Sequence, residues 1–71
     1  MKLWFEVWAD AGHTPPYVLV VQSDGTDINV FDPQENRRKI FAAQDYEAVR
    51  YWLLEDEFEM IRGRVTPDHE L

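Results

Sequence analysis

The chain has no cysteine, only three glycines, one serine, and no apolar run longer than the five residues Tyr17 to Val21. The missing thiol excludes a disulfide framework, a thiolate zinc site and a cysteine nucleophile together, and it fits a reducing compartment. Five apolar residues fall far short of the roughly 20 that span a bilayer. The opening Met1-Lys2-Leu3-Trp4-Phe5 begins like a leader, but Glu6 and Asp10 interrupt it before an apolar core can form, so the expected address is cytoplasmic with no membrane partner. Gly12, Gly25 and Gly63 are too far apart for a P-loop or a dinucleotide fingerprint, and no cofactor is expected. Bases are also scarce. Seven stand against fourteen acids, a net charge of −7. That balance argues against direct nucleic-acid binding, which draws its affinity from Lys and Arg on phosphates, and it favours a basic partner.

What the chain has in quantity is aromatic surface: three Trp, three Tyr and four Phe among 71 residues. One core of this size suits a single domain over residues 1–71, with a frayed tail from about residue 67. Leu3, Phe5, Val7 and Ala9 alternate with Lys2, Trp4, Glu6, Trp8 and Asp10, the period of a strand with one buried face. The glycine and paired prolines of residues 11–16 force a turn. Tyr17 to Gln22, β-branched and apolar on both faces, reads as a central strand. Asp24-Gly25 is the strongest hairpin signal in the chain, and Asp27 to Asp32 returns as the third strand. After a turn at Pro33-Gln34-Glu35-Asn36, Arg38 to Ala43 makes a short fourth strand.

Asp45 is placed to cap a helix over Tyr46 to Glu55, in which Val49, Trp52 and Leu53 form an apolar stripe. Phe58 to Val65 reads as a last strand, with a helix continuing to Ile61 as the competitor. The expected fold is therefore α+β: a small two-layer domain, an antiparallel sheet of four to five strands in the order β-β-β-β-α-β, and one helix packed on one face. If Leu3, Phe5 and Val7 meet that helix, Trp4 and Trp8 stand on the open side as an aromatic contact surface, and a homodimer through the open sheet face is one expectation.

No catalytic set is credible, and the chain is read as a non-enzyme. Ser23 and His13 fall at opposite ends of a strand, roughly 20 Å apart at about 3.3 Å per residue, and His69 lies in the tail. The acids are better organised. With strands running up, down, up and down, Asp10 and His13 in the first turn meet Asp32 and Glu35 in the second at one end of the sheet. The helix delivers Glu55, Asp56 and Glu57 to that same end, leaving Asp24 and Asp27 at the other.

The bland meaning of such a pole is solubility. The functional one is a non-catalytic protein-interaction module, an adaptor, regulator or immunity-type inhibitor, that binds a basic surface through Asp10, Asp32, Glu35, Glu55, Asp56 and Glu57 with Trp4 and Trp8 as anchor. Two alternatives remain. A nucleic-acid mimic would need rows of acids at i, i+2, of which Glu57 and Glu59 are the one pair near the end. A divalent-metal site at the acidic pole lacks both the EF-hand spacing and any paired histidines, so no residue is assigned as a metal ligand. The bases Arg37-Arg38-Lys39 and Arg62/Arg64 are read as guards on edge strands.

Overall fold

The computed structural model describes residues 3–65, apart from the side chain of Arg62; the expected frayed tail lies outside them. Five strands, β1 (Trp4–Asp10), β2 (Tyr17–Ser23), β3 (Ile28–Asp32), β4 (Arg38–Ala43) and β5 (Glu59–Val65), and one helix, α1 (Tyr46–Glu55), follow in the expected order. The strands form a single antiparallel sheet in the order β4-β3-β2-β1-β5. Short connections explain the first four positions, since each strand pairs with the one before it; the helix then crosses the sheet and returns the chain to the free edge of β1.

Local chemistry fixes the turns. Asp24 Oδ1 accepts from the amides of Thr26 and Asp27 at 2.9 and 2.8 Å, while Gly25 takes a φ of 95° that a side chain would resist. Asp45 caps α1 by accepting from the Glu47 amide at 3.3 Å. The competing reading, a helix running on to Ile61, fails at Glu57. That residue adopts the left-handed conformation with φ 63°, its amide bonds the Leu54 carbonyl, and the Phe58 amide bonds the Leu53 carbonyl. These two bonds close a Schellman motif, and Phe58 and Leu53 meet in the core beneath it. The chain leaves as β5.

Val49 and Leu53 of α1 are fully buried, and Trp52 packs at the margin, stacked on Phe41 with centroids 4.5 Å apart and planes within 9°. A bulge in β4 opposite Val30 and Phe31 lets the successive residues Ile40 and Phe41 both pack against this core. The helix rests mainly over β3 and β4. Something else must cover the β1 side of the same face.

Trp4 and Trp8 do so, which corrects the expectation that they stand on the open side. They are 7% and 2% exposed, in one cluster with Leu19, Val21, Ile28 and Val30, while Leu3, Phe5 and Val7 take the opposite face. The alternation of β1 is as expected; its sense is reversed. Burying two indoles removes on the order of 400 Å² from water, roughly 10 kcal/mol before entropy at about 25 cal/mol/Å², against a desolvation penalty of several kcal/mol for the Glu6 carried in with them. Three donors offset that penalty: the Trp8 indole at 3.0 Å, the Tyr46 hydroxyl at 3.0 Å and Arg64 Nε at 3.2 Å.

Candidate functional site

Three connections meet at one end of the sheet. Asp10 pairs with Tyr17 across β1 and β2, Asp32 with Arg38 across β3 and β4, and Ala9 with Glu59 across β1 and β5, so the turns at residues 11–16, 33–37 and 56–58 all lie there. The expected acidic residues therefore share an end, but they do different work.

Asp32 is 2% exposed and is removed from the surface, which corrects its reading as a partner-contact carboxylate. It accepts from the Tyr17 hydroxyl, from the Gln34 amide nitrogen at 2.9 Å and from Gln34 Nε2 at 2.7 Å. The Gln34 side chain in turn pairs with the backbone of Val18, giving Nε2 to the carbonyl at 2.7 Å and accepting from the amide at 3.0 Å, as a strand backbone would. Burial pushes the Asp32 carboxyl up, but the hydrogen bonds from Tyr17 and Gln34 outweigh it and hold the group below the usual carboxylate range. The same Tyr17–Asp32 bond, with desolvation and the Asp32 charge, pushes the Tyr17 phenol up to about 12. This set anchors the turn after β3. Position alone could not show it, because Asp32 and the surface acids look alike in a sequence.

Glu35 is exposed and pairs with Arg38 at 3.2 Å. Asp10 is intermediate: its side chain is 16% exposed, Oδ2 meets His13 Nδ1 at 2.8 Å, and Oδ1 accepts from the Gly12 amide at 2.9 Å. Glu55, Asp56 and Glu57 are exposed at the C-terminal end of α1, where the last turn carries no base. Of the six expected residues, only Asp10 and Asp56 border a common cleft. It has a volume of about 410 Å³, with Leu19, Ile40, Trp52 and Phe58 as its apolar floor. The apolar floor was visible only as separate core candidates in the chain.

At the opposite end lies a group that the sequence reading passed over. Arg64 stacks 3.8 Å above the Trp4 ring and 4.8 Å from the Tyr46 ring, and it ion-pairs with Glu6, which is 1% exposed. Tyr46 has its phenol raised by desolvation first and then by the Glu6 hydrogen bond. A signal existed: a glutamate between two tryptophans on one strand face needs donors or a cation brought to it if the indoles are inside, and Arg64 of β5 supplies one.

The open face of the sheet is apolar, though not in the expected residues. Phe5, Val7, Val18, Val20 and Phe31 are half-buried there, with Ala9 and Asn29 buried, and among the described residues no element lies across them. Asn29 Nδ2 reaches Asp24 at 3.4 Å, whereas its Oδ1 has no hydrogen-bond partner among the described residues. The edge strand β4 carries the bases Arg38 and Lys39, and the edge strand β5 carries Arg64, whose side chain is turned to Trp4 and Glu6.

Among the described residues no three His, Asp or Glu side chains form a metal-ligating group, and no helix is long and apolar enough to cross a membrane. Ser23 closes β2 at the end away from His13, accepting from the Gly25 amide at 3.2 Å. Glu57 stands in the turn before β5, so it forms no strand row with Glu59 of the kind a phosphate mimic needs. Comparison with known proteins finds no matching family model, no similar curated protein and no similar solved structure.

Proposed function

We propose that this protein is a non-catalytic interaction module, acting in a reducing cytoplasmic setting, that docks a basic surface of a protein partner at the end of its sheet carrying Asp10, Glu35, Glu55, Asp56 and Glu57. One observation carries the reading: these carboxylates share one end of the sheet, where two of them, Asp10 and Asp56, border a cleft with an apolar floor, so charge and apolar contact area lie side by side. Electrostatic steering brings a basic partner to this end and apolar contact holds it there. Three acids against the helix dipole disfavour the fold by about 0.3–1 kcal/mol each, an arrangement that serves a partner better than it serves α1.

The test is capture of binding proteins by immobilised protein at about 0.05 and about 0.5 M salt, with wild type and with Glu55→Lys/Glu57→Lys. The expected captured protein is basic, is released at high salt and is lost in the double variant. An acidic partner, or capture indifferent to both charge reversal and salt, overturns the reading.

A second reading rests on a separate observation, the uncovered apolar face of Phe5, Val7, Val18, Val20 and Phe31. Such a face serves as a contact surface for another protein, a second copy of this chain included.

A further inference from the structure

We infer that the cleft between the C-terminal end of α1 and the turn after β1 receives an arginine side chain of the basic partner; this rests on the reading that such a partner docks at this end. Asp10, with its partner His13, and Asp56 stand at its rim, Trp52 and Phe58 supply aromatic surface, and among the described residues no Lys or Arg lines it. Tyr17 lies against Phe58, edge to face, with ring centroids 6.4 Å apart. The Asp56 carboxylate has no hydrogen bond or ion pair among the described residues, in contrast to Asp10, which holds His13 and the Gly12 amide. One carboxylate is thus left for an incoming cation. At about 410 Å³ the cleft falls in the range of roughly 300–1,000 Å³ typical of ligand pockets.

The fold already shows how it holds a guanidinium. At the other end of the molecule Arg64 lies 3.8 Å over the Trp4 ring, beside Tyr46, with Nε 3.2 Å from the Glu6 carboxylate. The cleft presents the same kinds of group, a tryptophan, a tyrosine and a carboxylate, with no arginine or lysine of its own among the described residues; its one histidine, His13, is engaged with Asp10. Arginine suits it better than lysine. A planar, weakly hydrated guanidinium stacks on aromatic surface while meeting a carboxylate edge-on, whereas an ammonium gives up tightly held water to enter an apolar cleft. The apolar floor favours a side chain with an aliphatic stem over an inorganic cation.

The test is a titration of the ¹⁵N-labelled protein with blocked Gly-Arg-Gly, Gly-Lys-Gly and Gly-citrulline-Gly peptides, the last keeping the shape of arginine without its charge. The arginine peptide should shift the Trp52 indole N–H and the Asp56 and Phe58 amides saturably, with a Kd on the order of 1 mM, and bind at least about fivefold more tightly than the other two. Asp56→Asn, an exposed change that leaves the core intact, should weaken the arginine peptide by about fivefold or more. Equal affinity for all three peptides, or no saturation by about 10 mM, overturns the inference. The two proposals fail separately. Salt-sensitive capture that Glu55→Lys/Glu57→Lys abolishes, without saturable peptide binding at Trp52, removes the arginine cleft and leaves the acidic docking end. Saturable arginine binding with capture indifferent to salt does the reverse.

Discussion

Replacing Glu6 by Gln tests the layer that covers the β1 half of the sheet. The change keeps the shape and removes the charge, so its effect reads the hydrogen bonds directly. Glu6 accepts from Trp8 at 3.0 Å, from Tyr46 at 3.0 Å and from Arg64 at 3.2 Å, while a glutamine offers one oxygen and one NH₂ group. If the oxygen stays with the Trp8 indole, the NH₂ faces the Arg64 donor; if it turns to Arg64, the indole N–H of a residue 2% exposed is left unpaired. The first arrangement is the cheaper. Losing a hydrogen bond to a charged group costs about 1.5–3 kcal/mol, reduced here because the Arg64 side chain is 42% exposed and can turn to water. A further cost of about 1 kcal/mol comes from the poorly satisfied amide, and the sum is about 2–3 kcal/mol.

Total stability for 71 residues is on the order of 4–11 kcal/mol, so this is a large fraction. For a domain of this length it lowers Tm by about 10–20 °C. Thermal and urea melts followed by circular dichroism and tryptophan fluorescence give the value, and coincidence of the two probes checks that unfolding is two-state. A double-mutant cycle with Arg64→Met should return a coupling of about 1–2 kcal/mol. A Glu6→Gln protein that melts within about 3 °C of wild type refutes the reasoning, because the carboxylate would then contribute little to holding the tryptophan layer.

Four other outcomes follow from the same physics. The phenol of Tyr17 is raised to about 12, so the protonated form is favoured in the folded state; the stability it supplies is complete below the unfolded value near pH 10 and is lost as pH rises towards 12. Ultraviolet titration of tyrosinate should show a late component that Tyr17→Phe removes. Asp32 is shifted the other way, so its contribution is present above the unfolded carboxyl value near pH 4 and is lost on acidification through its lower folded value; Asp32→Asn should destabilise the protein by about 1–3 kcal/mol at neutral pH and flatten the acid limb of its stability profile. Glu57→Gly should raise stability by about 0.5–1 kcal/mol in a urea melt, since a non-glycine residue at φ 63° is strained and a carboxylate there opposes the helix dipole. If the open face joins two copies, sedimentation at rising concentration should show association in the wild type and none in Val20→Lys, whose side chain would meet the centre of that face.

The order of elements was legible in the chain because each boundary is written in local chemistry. Asp24-Gly25 makes a hairpin wherever it stands between two strands, Asp45 caps whatever helix follows it, and the stripe of Val49, Trp52 and Leu53 needs a core on one side. The meander then places the turns after β1 and β3 and the end of α1 at one pole, so that gathering of acids also came from sequence order. Periodicity of two fixed that the odd and even residues of β1 face opposite ways, but it is symmetric and does not say which set is inside. That was decided by the width of a single helix lying over β3 and β4, which left space for indoles beside it, and by Tyr46 and Arg64, which come from 40 and 58 positions away to satisfy Glu6. Likewise the equal formal charges of Asp32 and Asp56 became different groups, one buried under Tyr17 and Gln34 and one free at the rim of a cleft. Local patterns determine elements and their order, because their causes lie within a few residues. Which face is buried, and which carboxylate stays available to a partner, depends on desolvation and on donors brought from distant parts of the chain, and only the tertiary structure sets these.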